Sequence, residues 1–257
     1  MSAPVRIALL GASGRMGQAV LDAAAAQADL RIVSALVGQG SASLGKTSHG
    51  LSYGDDLSAA LSGADVLVDF SLPESTARAL DACLAAGKPL VTGVTGMDEA
   101  LKARLKDAGE RVPVLAAPNM SLGVALLSRM AEQAAKLLGP DFDIEITEAH
   151  HRHKKDAPSG TALALAEVMD QARGSGHVSR NPDRRGAREP GSIGFSVVRA
   201  GDIVGEHTVL FAGLGERLEL SHRAQSRATF AHGALRAARW IVGKPAGSYT
   251  LADTLRS

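Results

Sequence analysis

Between an apolar run, Val5 to Leu10, and an alanine-rich helical stretch, Arg15 to Ala28, stands the segment Gly11-Ala12-Ser13-Gly14-Arg15-Met16-Gly17. A strand that passes through a glycine turn straight into a helix is the first half of a βαβ unit. Glycines there permit the tight turn, the close approach of a pyrophosphate to the backbone, and close packing of helix on strand. The spacing is G-x-x-G-x-x-G instead of the commoner G-x-G-x-x-G. A glycine turn with no ligand is therefore the competing reading.

The pattern repeats through the first half. Leu30 to Val37 reads as a strand and Asp56 to Leu61 as a short helix. Val66 to Phe70 is a buried strand, and Pro73 to Ala86 a helix ended by Gly87. Strand Leu90 to Val94, helix Asp98 to Ala108 and strand Val112 to Ala116 follow. Such alternation predicts an α/β fold, a doubly wound parallel sheet of Rossmann type with helices on both faces. Ligands of such sheets bind outside the carboxyl ends of the strands. That places Thr92-Gly93-Val94-Thr95-Gly96 and Ala117-Pro118-Asn119-Met120 where a nicotinamide ring would lie, with ordinary loop chemistry as the alternative.

A long amphipathic helix from Ser121 to about Leu138 comes next, stopped by Gly139-Pro140. Phe142 to Thr147 alternates apolar and polar residues as a half-buried strand does. After a helix from Thr161, the Gly-, Arg- and Pro-rich stretch 174–191 reads as a long loop. Ile193 to Arg199, Glu206 to Phe211 and Arg217 to Ser221 predict an antiparallel sheet, and Phe230 to Val242 a last helix with the only Trp, Trp240. The expected organisation is a dinucleotide-binding domain over 1–121, an α+β domain over 122–227, and a terminal segment 228–257 whose place periodicity does not reveal.

Composition removes whole classes of function. The 257 residues carry a net charge of +1 with no long single-sign block, so no nucleic-acid partner is indicated. The one cysteine, Cys83, excludes an internal disulfide framework and lies in a helical pattern as a small hydrophobe. No stretch is long and apolar enough to span a bilayer, and the start of the chain lacks a signal-peptide layout. These features predict a soluble, cytoplasmic protein with no membrane partner.

The densest chemistry lies in Glu148-Ala-His150-His151-Arg152-His153-Lys154-Lys155-Asp156-Ala-Pro158-Ser159-Gly160-Thr161. Ser159 suits the N-cap of the helix that Gly160 and Thr161 open. A helix start offers free N–H groups and a positive dipole end to a carboxylate or phosphate. Positions 150, 151 and 153 at a strand end do not share a face and no HExxH spacing occurs, so no metal is expected. A solvated basic loop is the plain alternative. General acid chemistry joined to carboxylate binding is the reading that uses all the parts.

Cofactor preference is open at this point. Val37 and Gly38 stand where a carboxylate would hold the ribose of NAD, and no arginine lies within seven residues after Val37. Lys46 could reach a 2′-phosphate only if its loop folds back. Weakly biased use of NADH or NADPH is the expectation.

Together Gly11 to Gly17, Val91 to Asp98, Ala117 to Val124 and Glu148 to Thr161 resemble the dihydrodipicolinate reductase family, as do Gly191 to Phe195, Arg199 to His207 and Ser226 to Phe230. The likeness covers nearly the whole chain. It implies a homotetrameric enzyme that reduces a small cyclic imine dicarboxylate with NADH or NADPH, in lysine and diaminopimelate synthesis. By that resemblance His150 matches an acid/base position, Lys154 a proton donor and His151 a substrate contact. Gly160 and Thr161 match a carboxylate cradle. Gly11, Ala12, Ser13, Gly14, Arg15 and Met16 match cofactor contacts, as do Gly93, Val94 and Thr95 and Ala117, Pro118, Asn119 and Met120. It also implies that the terminal helix packs on the first domain and that the second domain's sheet builds the tetramer. Val37, Gly38 and Val94 depart from the family's pattern. Another two-domain dehydrogenase, for example one acting on an amino acid, and a nucleotide sensor without catalysis are the alternatives.

Overall fold

A computed structural model describes residues 3–174 and 187–255. Arg184, Arg185 and most of the loop expected over 174–191 lie outside the described residues. The chain divides into two compact units, unit 1 of Met1–Leu122 with Arg227–Ser257 and unit 2 of Gly123–Ser226.

Unit 1 begins β1 (Val5–Leu10), α1 (Arg15–Ala25), β2 (Leu30–Leu36), β3 (Thr47–Ser48), β4 (Leu51–Gly54), α2 (Leu57–Gly63) and β5 (Val66–Asp69). It continues α3 (Pro73–Ala86), β6 (Leu90–Thr92), α4 (Glu99–Ala108) and β7 (Pro113–Ala116). Then α5 (Leu122–Leu138), β8 (Asp143–His150), α6 (Gly160–Arg173), β9 (Ile193–Arg199), β10 (Gly205–Ala212) and β11 (Arg217–Ala224) carry the chain through unit 2. It returns to unit 1 as α7 (Ala228–Ile241) and β12 (Gly247–Tyr249).

The unit 1 sheet has the order β12-β7-β6-β5-β1-β2-β4-β3. Its pairings are parallel except the β3–β4 hairpin at one edge. The central strands are short apolar runs because both of their faces are covered. Ile7, Leu9, Leu67 and Leu90 are fully buried, each worth about 1.5–3 kcal/mol relative to exposure. β1 lies between β2 and β5. Strand order reverses there, and the carboxyl end of β1 opens at the switch point. α7 packs on the same unit with a face of alanines, and a Cβ at Gly233 would fall 1.7 Å from the Met120 carbonyl oxygen. Only glycine lets that helix approach so closely.

Unit 2 holds a four-stranded sheet ordered β11-β10-β8-β9. One face packs on α5 and α6 through Leu127, Ala131, Ile144, Ile146, Leu165, Met169, Val209 and Phe211. The expected antiparallel sheet is corrected to a mixed one, since β9 runs parallel to β8. The reason is the connection. α6 intervenes between β8 and β9, and a strand–helix–strand crossover returns the second strand parallel to the first. Sequence reading also missed β3, β4 and β12, which are too short or too polar to show a period. Among the described residues no helix is long and apolar enough to cross a membrane.

Candidate active site

At the carboxyl edge of the unit 1 sheet, Gly11 adopts a φ of 81°, and a Cβ there would lie 2.5 Å from the Phe70 carbonyl oxygen. A Cβ at Gly17 would lie 2.2 Å from the Gly11 carbonyl oxygen. Gly14 is the N-cap of α1 with no side-chain cap, so the first-turn amides after it are not satisfied by a cap. This is a cradle that fits an anionic group such as the pyrophosphate of a dinucleotide.

The expected contact residues are not equal. Ser13, Gly14 and Arg15 are exposed. Ala12 is fully buried, its amide donating to the Leu36 carbonyl (2.9 Å) and its carbonyl accepting from Gln18 Nε2 (2.7 Å). Ala12 therefore shapes the turn and leaves no polar group for a ligand. Met120 has its side chain in the core at 2% exposure, which leaves only backbone for a contact. Gly93 lies under the Phe70 ring, where a Cβ would fall 2.3 Å from Cε1. Val94 is buried and its amide donates to Thr92 Oγ1 (3.3 Å). The Asn119 carboxamide oxygen accepts from the Ser121 amide (2.9 Å) and sets that turn.

Asp69, which the sequence did not single out, joins these loops. Its fully buried carboxylate accepts from the Ser71 amide (2.9 Å) and hydroxyl (2.6 Å), from Thr76 Oγ1 (2.7 Å) and from Thr92 Oγ1 (3.3 Å). Burial pushes its carboxyl group above the usual range against the pull of those hydrogen bonds.

In unit 2 the strand β8 runs three residues further than expected. Ile144, Ile146, Glu148 and His150 are its buried positions, because alternate side chains share a face. The face that starts as core thus ends in two titratable groups. Glu148 Oε2 is 2.5 Å from His150 Nδ1, and Arg199 donates to both Glu148 oxygens at 2.8 Å. The Ser159 amide adds a hydrogen bond to Glu148 Oε1 (3.0 Å). Burial alone would raise the Glu148 pKa, but the His150 and Arg199 hydrogen bonds outweigh it and hold it at about 2. An ionised carboxylate only accepts, so His150 Nδ1 carries a proton toward Glu148 and Nε2 is the nitrogen left for chemistry. Gly205 lies beside that nitrogen, where a Cβ would come within 3.2 Å.

His207 stands across from Glu148 on β10, with its ring 5.2 Å from that of His150 in an edge-on arrangement. Burial, then the neighbouring His150, lowers its pKa to about 4. It shares a hydrogen bond with Ser159 Oγ (3.1 Å), which also accepts from the Ala162 amide (3.2 Å). Ser159 is therefore the N-cap of α6, as its residue type predicts. A Cβ at Gly160 would meet nothing within 4 Å, so the helix start is open beside the buried charges. Lys154 Nζ lies 2.8 Å from Asp156, and Arg199 donates to the Asp156 carbonyl at 2.6 Å. One arginine thus anchors the loop carrying Lys154 and the carboxylate orienting His150. His151 is half-buried, while Arg152, His153 and Lys155 are exposed. Among the described residues no three of His, Cys, Asp and Glu converge to hold a metal ion. His150 is among the residues that the sequence points to, whereas Glu148, two positions before it on the same strand face, is given no role there. Arg199 and His207 come from distant strands, and nothing local signals them.

A glycine cradle at the switch point of a parallel sheet, joined in one chain to a mixed sheet bearing a buried acid–base set, is the organisation of two-unit nicotinamide-dependent oxidoreductases. The chain belongs to the dihydrodipicolinate reductase family. It matches the N-terminal part of that family over residues 5–120 and the C-terminal part over 123–255. The 4-hydroxy-tetrahydrodipicolinate reductase of Thiobacillus denitrificans is 52% identical over 264 aligned residues, covering 98% of each chain. The enzyme of the same name from Burkholderia thailandensis is 45% identical, again with 98% of each covered. Among solved structures, a dipicolinate-bound dihydrodipicolinate reductase from Paenisporosarcina sp. TG-14 superposes with a TM-score of 0.78 at 24% identity, covering 96% of this chain and 97% of that one. An aspartate dehydrogenase from Thermotoga maritima shares the fold alone, with a TM-score of 0.52 at 12% identity over 95% of this chain and 99% of that one.

Proposed function

We propose that this chain catalyses the NAD(P)H-dependent reduction of 4-hydroxy-tetrahydrodipicolinate to tetrahydrodipicolinate in lysine and diaminopimelate synthesis. The observation that carries this reading is the identity of about half the residues along the full length of reductases of that name. Unit 1 is the dinucleotide-binding domain and unit 2 the substrate-binding domain. A reduced nicotinamide, when bound, supplies a hydride. Conversion of the 4-hydroxy compound also consumes one proton and releases water. The chain's part is to bind, to orient and to deliver that proton.

The amides of Gly160 and Thr161 at the start of α6 receive a substrate carboxylate, with His151 as a further contact. Lys154 donates the proton to the nitrogen side of the ring. His150, oriented through Nδ1 by Glu148, assists through Nε2. In unit 1 the Gly11–Met16 turn, shaped by buried Ala12, holds the pyrophosphate, and the Gly93–Thr95 and Ala117–Met120 loops border the nicotinamide, by backbone where Val94 and Met120 are buried. The protein works as a homotetramer in the cytoplasm. The outer face of the unit 2 sheet supports the assembly, since Ala149, Val198, Leu210 and Ala212 are not fully covered within this chain.

The test is oxidation of NADPH and NADH by the purified chain. It should proceed with freshly made product of the synthase that condenses pyruvate with aspartate semialdehyde, and not with oxaloacetate plus ammonia. Activity with the second pair alone would make the chain an amino-acid dehydrogenase, and activity with neither would favour the sensor.

A further inference from the structure

The adenosine end of the unit 1 cradle has no charged residue where one is needed. Strand β2 ends at Leu36, and Val37 and Gly38 follow; Val37 is buried at 3% exposure. In a doubly wound sheet the ribose hydroxyls, or the phosphate that replaces one of them, meet the end of this strand. A Cβ on Gly38 would lie 3.6 Å from Ser75 Oγ on α3. Arg78, one turn along the same helix, has its Nη2 3.4 Å from that hydroxyl. Among the described residues Arg78 is within salt-bridge range of no carboxylate, unlike Arg6, Arg104, Arg188, Arg199, Arg223 and Arg239.

A guanidinium is planar and always charged, and it donates in pairs to phosphate oxygens. Here its charge is not neutralised, and the serine hydroxyl it donates to faces Gly38, where no side chain intervenes. Lys46, the cation that sequence reading offers, sits in a chain of turns pinned at both of its backbone groups. Its amide donates to Ser43, and its carbonyl accepts from Tyr53.

Resting on the reading of unit 1 as a dinucleotide site, we propose that Arg78, with Ser75, recognises the 2′-phosphate of NADPH and is the residue that sets this chain's cofactor preference. The cation comes from the helix after β5, about forty positions from the strand end it serves, which is why a search after β2 does not find it.

Fluorescence titration of the full chain with NADPH and with NADH, at matched low salt, tests this without turnover. NADPH should bind about tenfold or more tightly than NADH. Arg78→Ala should bring NADPH to the level of NADH while NADH affinity holds within about twofold. In competition, adenosine 2′,5′-bisphosphate should displace NADPH better than ADP does, and Arg78→Ala should remove that advantage. Lys46→Ala should leave the ratio unchanged. Equal binding of the two cofactors by the unaltered chain, an unchanged ratio in Arg78→Ala, or loss of preference in Lys46→Ala would each overturn the assignment. Failure of both cofactors to bind would overturn the dinucleotide reading itself, and Arg78 with it.

Discussion

The two regions that carry chemistry are built from different parts of the polypeptide. At the edge of the unit 1 sheet, what is offered to a ligand is mostly backbone: Gly14 leaves the first turn of α1 without a side-chain cap, and Gly11 and Gly17 let the turn pack closely. In unit 2 the offer is mostly side chains. Glu148, His150, Arg199 and His207 are held by one another around the open start of α6. The difference shows where each region is fragile. A backbone cradle tolerates replaced side chains and fails when a methyl group is added. A charge network tolerates small shifts in shape and fails when one partner is removed.

The largest effect should come from the side-chain region. Lys154→Ala removes the proposed proton donor and should lower kcat by roughly 10²–10⁴-fold, while cofactor affinity measured by titration stays within about twofold. Unchanged turnover would show that another group protonates the substrate and that unit 2 is less dependent on named side chains than the comparison holds.

Next is the backbone region. Gly17→Ala would place a methyl carbon 2.2 Å from a main-chain oxygen. Main chain cannot step aside as a flexible side chain can, so the loss of stability should be about 3 kcal/mol or more. Urea unfolding measures it, and cofactor affinity should fall with it. A loss under about 1 kcal/mol would show that the turn can widen.

The pH dependence separates the regions again. His207 is neutral in the folded state, with a pKa of about 4 against 6.5 in the unfolded chain. Between those values the unfolded chain binds a proton that the folded chain does not. Stability is therefore complete above about pH 6.5 and declines as pH falls toward 4, by up to roughly 3 kcal/mol. His207→Gln should flatten that part of the profile. Glu148 acts in the same direction at lower pH, between 4.5 and about 2. A profile that is unchanged by His207→Gln would place the acid sensitivity elsewhere.

The smallest effect should be Val94→Thr. Val94 is 8% exposed and its amide donates to Thr92, so a ligand contact there runs through backbone. Cofactor affinity should change by less than about 0.5 kcal/mol. A clear gain would mean that a hydroxyl at 94 reaches the ligand.

The legible parts of the molecule were those whose signal is local. Val5 to Leu10 and Val66 to Phe70 read as strands because they are short, mostly apolar runs bounded by turn residues, and the second ends one residue earlier, at Asp69. Ser159 reads as an N-cap from its residue type ahead of an apolar run, and its hydroxyl accepts from the amide three residues on. The illegible parts depend on residues far apart in sequence. Arg199 reaches Glu148 only because a crossover makes β9 parallel to β8. Asp69 holds Ser71 and Thr76 locally, but it gains Thr92 only because β5 and β6 are neighbours. The apolar alternation of β8 stops at Thr147, and Glu148 and His150 continue the same buried face with polar groups that break the pattern.

The most direct test of the contrast between backbone and side-chain sites is a crystal structure grown with NADPH and pyridine-2,6-dicarboxylate, a flat analogue of the substrate. Pyrophosphate oxygens should lie on main-chain amides of the Gly11–Met16 turn, and one carboxylate on the amides of Gly160 and Thr161 with the Lys154 side chain directed at the ring nitrogen. A dicarboxylate bound away from Gly160 and Thr161, or a pyrophosphate held by side chains instead of the glycine turn, would contradict that contrast.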